Sequence, residues 1–227
     1  MSVAAVVVAA GRGTRFGGEK QFLFIDGDTV AARSVSRARA VSDFVVLVVP
    51  EGYSGDGEGA DLVVTGGDSR AASVRNGLAR CGDADVVIVH DAARPNASVE
   101  LFRAIVRAIE DGADAVIPGL AVADTIKRVT RDGDLSVVAE TLDRDELVAV
   151  QTPQGFRREV LERAHAASDI ATDDAGLVEA IGGLVVVIPG EATNLKITHP
   201  SDADRLSAGS HSRSAFSMWC RQPWRGR

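Results

Sequence analysis

The chain begins with an apolar octet that runs directly into a glycine-rich, cationic loop. Residues 3–10 are valine and alanine only, which is typical of a β-strand covered on both faces. The loop at 11–21 follows at once and carries Arg12, Arg15 and Lys20 among its glycines. Such a turn exposes backbone N–H groups, and cations beside them favour a bound polyphosphate. A loop that only links a strand to a helix is the alternative, but it has no need of three cations around one concavity.

Two common phosphate-binding motifs do not match this loop. A P-loop requires lysine directly after its second glycine, and Glu19 stands at that position after Gly18. A dinucleotide-binding fingerprint requires its third small residue where Phe16 stands. The sequence therefore predicts a phosphate-binding loop that belongs to neither motif.

Valine-rich runs and helical segments alternate along the chain, which predicts an α/β fold with a mostly parallel sheet. Strands are predicted at 44–50, 62–65, 86–90, 114–118, 148–154 and 184–188. Helices are predicted at 29–41, at 99–110, at 157–168, at 173–181 and in a segment that opens near 69.

Two polar segments fall where predicted strands end, which is the rim where open parallel sheets bind ligands. The glycines at 66–67 would let a flat base or a ribose lie close to the backbone, with Asp68, Arg70 and Ser73 as side-chain partners. An ordinary helix cap by Asp68 or Ser69 is the alternative.

Asp91 follows the predicted strand at 86–90, and a carboxylate at this rim suits magnesium. The alternatives are a solvated turn residue or a simple ion pair with the neighbouring Arg94. His90 is interpreted as structural.

The regular alternation stops between Gly119 and Ala149. Two short strand-like runs flank Arg131-Asp132-Gly133-Asp134, whose Asp-Gly pair is a strong signal for a β-hairpin. We expect this segment, at about 119–149, to project from the sheet as an arm.

Length and composition limit the remaining possibilities. We expect one domain at 1–207 and an atypical, disordered tail at 208–227, where periodicity is lost. No apolar run is long enough to span a membrane and no signal peptide is evident, so a cytoplasmic protein without a membrane partner is expected. Cys81 and Cys220 show no metal-binding spacing.

The net charge argues against a nucleic-acid partner. The formal charge is −7, and without the four arginines of the tail it would be −11. Phosphate contacts supply most non-specific affinity for nucleic acids, and so acidic a body cannot make many of them.

Seven short motifs in order resemble the 2-C-methyl-D-erythritol 4-phosphate cytidylyltransferase family of the non-mevalonate isoprenoid pathway. They are Ala9-Ala10-Gly11-x-Gly13-x-Arg15 with Lys20, Gly66-Gly67-Asp68-x-Arg70-x-x-Ser73, His90-Asp91-Ala92-Ala93-Arg94-Pro95, Asp124-Thr125-x-Lys127, Thr152-Pro153-Gln154, Thr172-Asp173-Asp174 and Asn194-x-Lys196. Each motif alone is weak, but the set is specific. Glu19 departs from the family, which often has proline before the loop lysine.

The resemblance implies a Rossmann-like nucleotidyltransferase fold with three α/β/α layers, magnesium, and a homodimer that exchanges its β arms. The substrates would be CTP and methylerythritol phosphate. Position by position, it implies Ala9, Ala10, Gly67, Asp68 and Ser73 for the cytidine, Gly11, Gly13, Arg15 and Lys20 for the triphosphate, Asp91 for the metal and ribose, Lys196 for the transferring phosphate, and Thr125, Arg144, Thr152 and Thr172 for the sugar phosphate.

Two rival functions stay open at this stage. A ribitol 5-phosphate cytidylyltransferase would share the nucleotide motifs and differ in its second pocket. A non-catalytic nucleotide sensor would have no use for groups aimed at the leaving phosphates, and the chain has four such residues: Arg15, Lys20, Asp91 and Lys196. The absence of a Ser/His/Asp or Cys/His set is no objection to an enzyme, because the phosphate nucleophile of the acceptor arrives already charged.

Overall fold

A computed structural model describes residues 1–168 and 171–203, which include twelve strands and five α-helices. The predicted tail from residue 208 lies outside the described residues. The strands are β1 (Val3–Val8), β2 (Phe24–Ile25), β3 (Asp28–Thr29), β4 (Phe44–Val49), β5 (Leu62–Thr65), β6 (Val86–Asp91), β7 (Ala115–Ala121), β8 (Lys127–Asp132), β9 (Leu135–Thr141), β10 (Val148–Val150), β11 (Gln154–Arg157) and β12 (Val185–Pro189). The helices are α1 (Val30–Arg39), α2 (Arg70–Leu78), α3 (Val99–Glu110), α4 (Arg158–Ala167) and α5 (Asp174–Ala180).

A central sheet of eight strands runs in the order β10-β7-β11-β6-β1-β4-β5, with β12 also paired to β7. Strands β6, β1, β4 and β5 are parallel neighbours, and β12 is parallel to β7. Only β10 and β11 run antiparallel to their neighbours in this sheet. The predicted mostly parallel sheet is confirmed.

Successive residues of the buried strands face opposite helical layers. In β1, Ala5 and Val7 pack with α1 and α3, whereas Ala4 and Val6 pack with α2, α4 and α5. This alternation follows from the two-residue period of a strand, and it explains why β1 has no polar position. The three-layer α/β/α arrangement is therefore confirmed.

Side chains at the first turns of the helices decide between neighbouring candidate caps. The Thr29 hydroxyl accepts from Ala32 N at 3.0 Å, and Ser69 accepts from Ala72 N at 3.0 Å. Asp173 begins α5 by accepting from Gly176 N at 3.0 Å. Asp68 is thus not the cap of α2, which leaves its carboxylate at the rim.

The predicted return strand at 148–154 is interrupted. Strands β10 and β11 both pair with β7, but Gln151-Thr152-Pro153 between them leaves the regular ladder. Proline has no N–H to donate, so Pro153 cannot continue a β-ladder. This break matters because Thr152 belongs to the candidate site.

Strands β8 and β9 form a separate antiparallel hairpin whose residues are exposed throughout. The turn consists of Gly133 and Asp134 and not of Asp132-Gly133, because Asp132 already pairs with Leu135. Gly133 has a φ of +59°, which suits glycine at this position. The role of the hairpin as an arm toward a second chain stays a prediction.

Gly77 tests the packing of α2 on the sheet. A β-carbon at Gly77 would lie 2.5 Å from Val6 Cγ1 and 2.9 Å from Val48 Cγ2, both in buried strands. Alanine gains ~1 kcal/mol of helix propensity, but overpacking a core costs ~1–3 kcal/mol. We therefore expect Gly77→Ala to lower the free energy of unfolding by up to about 2 kcal/mol in urea titrations. The exposed α1 substitution Ser36→Ala is the control, and a stabilised Gly77→Ala protein would contradict this close packing.

Candidate active site

The loop after β1 is folded around Gly13. Gly13 has a φ of +60°, and its carbonyl accepts from Phe16 N and Gly17 N, both at 2.9 Å. A β-carbon at Gly13 would lie 1.8 Å from the Gly18 carbonyl oxygen, so only glycine fits. The buried Gln21 secures the loop from its far end by donating to the Gly11 carbonyl at 3.1 Å. Gln21 was not predicted as a site residue.

A cavity of about 370 Å³ lies between this loop, the turn before α2 and the end of β6. It brings together eleven of the predicted site residues. These are Ala9, Ala10, Gly11, Gly13, Arg15, Lys20, Gly67, Asp68, Ser73, Asp91 and Lys196.

Positive charge is concentrated at one end of the cavity. Burial lowers the pKa of Lys20, and the nearby charges of Lys196 and Arg15 lower it further. Arg15 and Lys20 lie in the first loop, and Lys196 lies in the segment that follows β12. The folded structure therefore holds three like charges close together although they repel one another. An anion bound here would relieve that repulsion, as expected of a polyphosphate site.

The Gly66-Gly67 turn contributes another wall of the cavity, and Ser73 holds this turn in place. The Ser73 hydroxyl accepts from Gly67 N at 3.1 Å and donates to the Ser69 carbonyl at 2.9 Å. Ser73 is almost fully buried, whereas Asp68 is exposed. Ser73 therefore shapes the backbone of this wall in addition to lining the cavity.

Asp91 is the last residue of β6 and lies between two cations. Its Oδ2 accepts from Lys196 Nζ at 2.6 Å, and its Oδ1 is 3.6 Å from Arg70 Nε. Burial alone would raise the pKa of the Asp91 carboxyl, but Lys196 and Arg70 hold it well below its usual range. Arg94 is not the ion-pair partner of Asp91, because its Nη1 donates to the Asn194 carbonyl at 2.8 Å.

A second cavity, of about 410 Å³, adjoins the first and is lined by Thr152 and Thr172. The two cavities share three lining residues, Arg70, Asp91 and Lys196. Thr125 and Arg144, which were predicted for the same substrate, line neither cavity. Arg144 Nη1 instead donates to the Ala123 carbonyl at 2.7 Å within its own exposed segment.

The Thr152 hydroxyl supports Asp91 through a buried chain of hydrogen bonds. Burial lowers the pKa of His90 to about 4, so its ring is neutral near pH 7. With His90 Nε2–H donating to the Arg94 carbonyl, Nδ1 accepts from the Thr152 hydroxyl at 3.2 Å. The Thr152 oxygen in turn accepts from Asp91 N at 3.0 Å. Thr152 was predicted to receive a substrate, and its hydroxyl is already engaged within the chain.

Two amide side chains that were not predicted as site residues fix the segment carrying Lys196. Gln151 Nε2 donates to the Glu191 carbonyl at 2.9 Å, and its Oε1 accepts from Glu191 N at 3.0 Å. Asn194 Nδ2 donates to the Thr152 carbonyl at 2.9 Å. The motif Asn194-x-Lys196 carried a signal for Asn194, but no pattern pointed to Gln151.

These features define a class of protein. A three-layer α/β fold with a cationic glycine loop at the carboxyl edge of its sheet, and a second pocket beside the cationic cavity, is the arrangement of a nucleotidyltransferase. Comparisons with known proteins identify the family within this class.

A family model described as 2-C-methyl-D-erythritol 4-phosphate cytidylyltransferase matches residues 3–208. Proteins of that name from Rhodococcus opacus and Frankia casuarinae are 49% and 48% identical over 210 residues. Each alignment covers 88% of this chain, with 91% of the Rhodococcus protein and 78% of the Frankia protein. The chain belongs to the 2-C-methyl-D-erythritol 4-phosphate cytidylyltransferase family.

A solved structure agrees with this assignment. The crystal structure of the 2-C-methyl-D-erythritol 4-phosphate cytidylyltransferase from Thermus thermophilus superimposes with a TM-score of 0.79 at 33% identity. The match covers 92% of this chain and 99% of the Thermus chain.

Among the helices of residues 1–168 and 171–203, none has the length and apolarity needed to cross a membrane.

Thr152→Val tests the hydrogen-bond chain behind Asp91. Valine has nearly the same shape but no hydroxyl, so the buried Asp91 N–H would lose its partner at a cost of about 1–3 kcal/mol. We expect urea unfolding to show that loss for Thr152→Val and a clearly smaller one for Thr152→Ser, which keeps the hydroxyl. Equal stability of the two variants would contradict the role of this hydroxyl.

Proposed function

We propose that the chain transfers a cytidylyl group from CTP to 2-C-methyl-D-erythritol 4-phosphate and releases pyrophosphate. The observation that carries the proposal is the junction of the two cavities at Asp91, Lys196 and Arg70. A transfer reaction needs two substrates whose reacting atoms meet, and adjoining pockets with shared cationic residues provide for that. Both substrates are small charged metabolites of the cytoplasm, so we also propose a cytoplasmic location.

CTP fits the first cavity with its triphosphate at the cationic end. Backbone N–H groups of Gly11 and Gly13, with Arg15 and Lys20, would bind the phosphates. The cytidine would lie against the Gly66-Gly67 turn and the end of β1. Its proposed contacts are Ala9, Ala10, Gly67, Asp68 and Ser73.

The acceptor supplies the nucleophile in this reaction. A phosphate oxygen of the sugar phosphate attacks the α-phosphorus of CTP and forms a new P–O bond. The bond to the β-phosphate breaks, and its electron pair leaves with pyrophosphate. No base is needed, so the chain contributes positioning and charge: Arg15 and Lys20 toward the leaving phosphates, and Lys196 toward the transferring phosphate.

The residues at this site fit a magnesium ion that is held mainly by substrate phosphates. Among the described residues, no three His, Cys, Asp or Glu side chains gather into a metal-binding group. Magnesium often binds through one carboxylate together with phosphates and water. We propose Asp91 as that carboxylate, with its Oδ2 now paired to Lys196. When bound, the ion would neutralise charge on the reacting phosphates.

Two rivals differ in what they require of the site. A ribitol 5-phosphate cytidylyltransferase would need a second pocket suited to a longer, unbranched acceptor. A nucleotide sensor would need only the first cavity, and the adjoining second cavity with Thr152 and Thr172 argues against it.

Pyrophosphate release from CTP tests the function directly. Each acceptor, methylerythritol phosphate or ribitol 5-phosphate, is offered separately, with CTP or UTP as the donor. We expect release only with CTP, methylerythritol phosphate and magnesium, and loss of release with EDTA. Release with ribitol phosphate alone would support the first rival, and nucleotide binding without any release would support the second.

Lys20→Ala should lower kcat far more than it raises the KM for CTP. The Lys20 charge is needed most where pyrophosphate departs, and losing such a group costs about 2.7–4 kcal/mol, or ~10²–10³ in rate. Arg37→Ala, on the exposed face of α1, is the charge-matched control. If kcat is unchanged and only KM rises, Lys20 acts in binding alone.

We further propose that the protein works as a homodimer through its β arm. Val129, Leu135 and Val138 of the hairpin are 50%, 69% and 56% exposed, and an isolated two-stranded hairpin is marginally stable in water. A second subunit would cover these side chains. It would also bring Thr125 and Arg144 to the partner's second cavity, since they line neither cavity of their own chain.

Mixed dimers test this exchange. Arg15→Ala and Arg144→Ala should each be nearly inactive alone and regain activity when unfolded and refolded together. Under two-fold symmetry a mixed dimer has one site with both lesions and one with neither, so random pairing restores about a quarter of the sites. If mixed dimers are shown to form and the mixture stays inactive, Arg144 does not act across subunits.

A further inference from the structure

Arg70 lies where the two cavities meet, whereas the sequence pattern indicated it only as a possible partner of a base or ribose. It is the first residue of α2 and lines both cavities. Its side chain reaches the end of β6, where its Nε is 3.6 Å from Asp91 Oδ1. A cation in this place faces both substrates of the proposed reaction.

The buried carboxylate of Asp174 binds the guanidinium of Arg70. Arg70 Nη1 donates to Asp174 Oδ2 at 2.6 Å, and the Asp174 side chain is only 1% exposed. His165 Nε2 lies 3.1 Å from the other oxygen, Asp174 Oδ1, and the His165 side chain is 2% exposed. The three residues come from α2, α5 and α4, so the contact depends on how three helices pack.

The guanidinium is thus fixed between two carboxylates. Burial would lower the pKa of Arg70, but Asp174 and Asp91 together raise it. A guanidinium is planar and presents its N–H groups in fixed directions, so holding one edge on Asp174 determines where the other points. A lysine at position 70 could not transmit direction in this way.

On the far side, Asp91 divides its two oxygens between Arg70 and Lys196. Lys196 Nζ lies 2.6 Å from Asp91 Oδ2, and Arg70 faces Oδ1. An ordered row of charges therefore runs from Asp174 through Arg70 and Asp91 to Lys196. The row begins at the buried Asp174 and ends at Lys196, at the junction of the two cavities.

We propose that Arg70 is a positioning residue for the transfer reaction, which Asp174 directs so that Asp91 and Lys196 are held in one orientation at the junction. The inference rests on the proposed function, since it assigns Arg70 a part in that reaction. The competing interpretation is structural: Arg70 only neutralises Asp174 and joins α2 to α5.

A paired substitution separates the two interpretations. Arg70→Gln leaves the buried Asp174 charge without its guanidinium partner and with only His165 beside it, which is strongly destabilising. The double variant Arg70→Gln/Asp174→Asn removes both charges and permits a neutral hydrogen bond, so Tm should recover toward that of the wild type. Arg39→Gln is the control. Arg39, at the end of α1, pairs with Asp61 at 3.0 Å and lines neither cavity.

The expected result is a stable double variant that remains slow. Its kcat should be about 10–100-fold below that of the wild type, as for residues that orient a reacting group through one contact, while the KM for CTP changes little. Arg39→Gln should keep full activity. If the double variant recovers kcat along with Tm, Arg70 is structural and the inference is wrong.

A crystal structure of the double variant gives a readout that does not need turnover. Asp91 should leave its single orientation and its contact with Lys196 should lengthen; an unchanged 2.6 Å contact would overturn the inference. An inactive wild-type protein in the same assay would instead refute the proposed function. Failure of the two proposals is therefore distinguishable.

Discussion

The active site depends on one buried carboxylate at the end of a central strand. Asp91 ends β6, and every residue of β6 is buried between helical layers, so the strand cannot shift without disturbing both. Taking a carboxylate out of water is costly, and here Lys196 and Arg70 offset that cost. The loop that carries Lys196 and the helix that begins with Arg70 are therefore positioned with respect to this single charge.

Much of the fold could be predicted from the sequence because local patterns determine it. Unbroken valine runs indicated strands with two covered faces. Short polar residues just before the helical segments indicated the helix caps. The choice between Ser69 and Asp68 as the cap of α2 could not be made from the sequence. Both residue types are good helix caps, so the backbone geometry at the start of the helix decides which of them accepts the hydrogen bond.

The residues of the first cavity could be predicted from the sequence, and those of the second cavity could be predicted less well. The glycines and cations at 11–21 indicate a phosphate-binding loop from the sequence alone, and in the structure they line one cavity. The parts that were missed depend on tertiary packing. Gln151 acts only because the strand breaks beside Pro153, and Asp174 matters only because α5 packs where Arg70 can reach it.

The row of charges at the junction joins segments that are far apart along the chain. Lys196 and Asp91 are separated by 105 positions, and Asp174 and Arg70 by 104. Such contacts close only when both halves of the sheet have been assembled, since each must first overcome a large loop-closure entropy. A partly folded chain can possess its nucleotide loop and still lack this junction. The geometry at the junction of the two cavities therefore depends on assembly of the whole sheet, whereas the glycine loop is formed by a local stretch of chain.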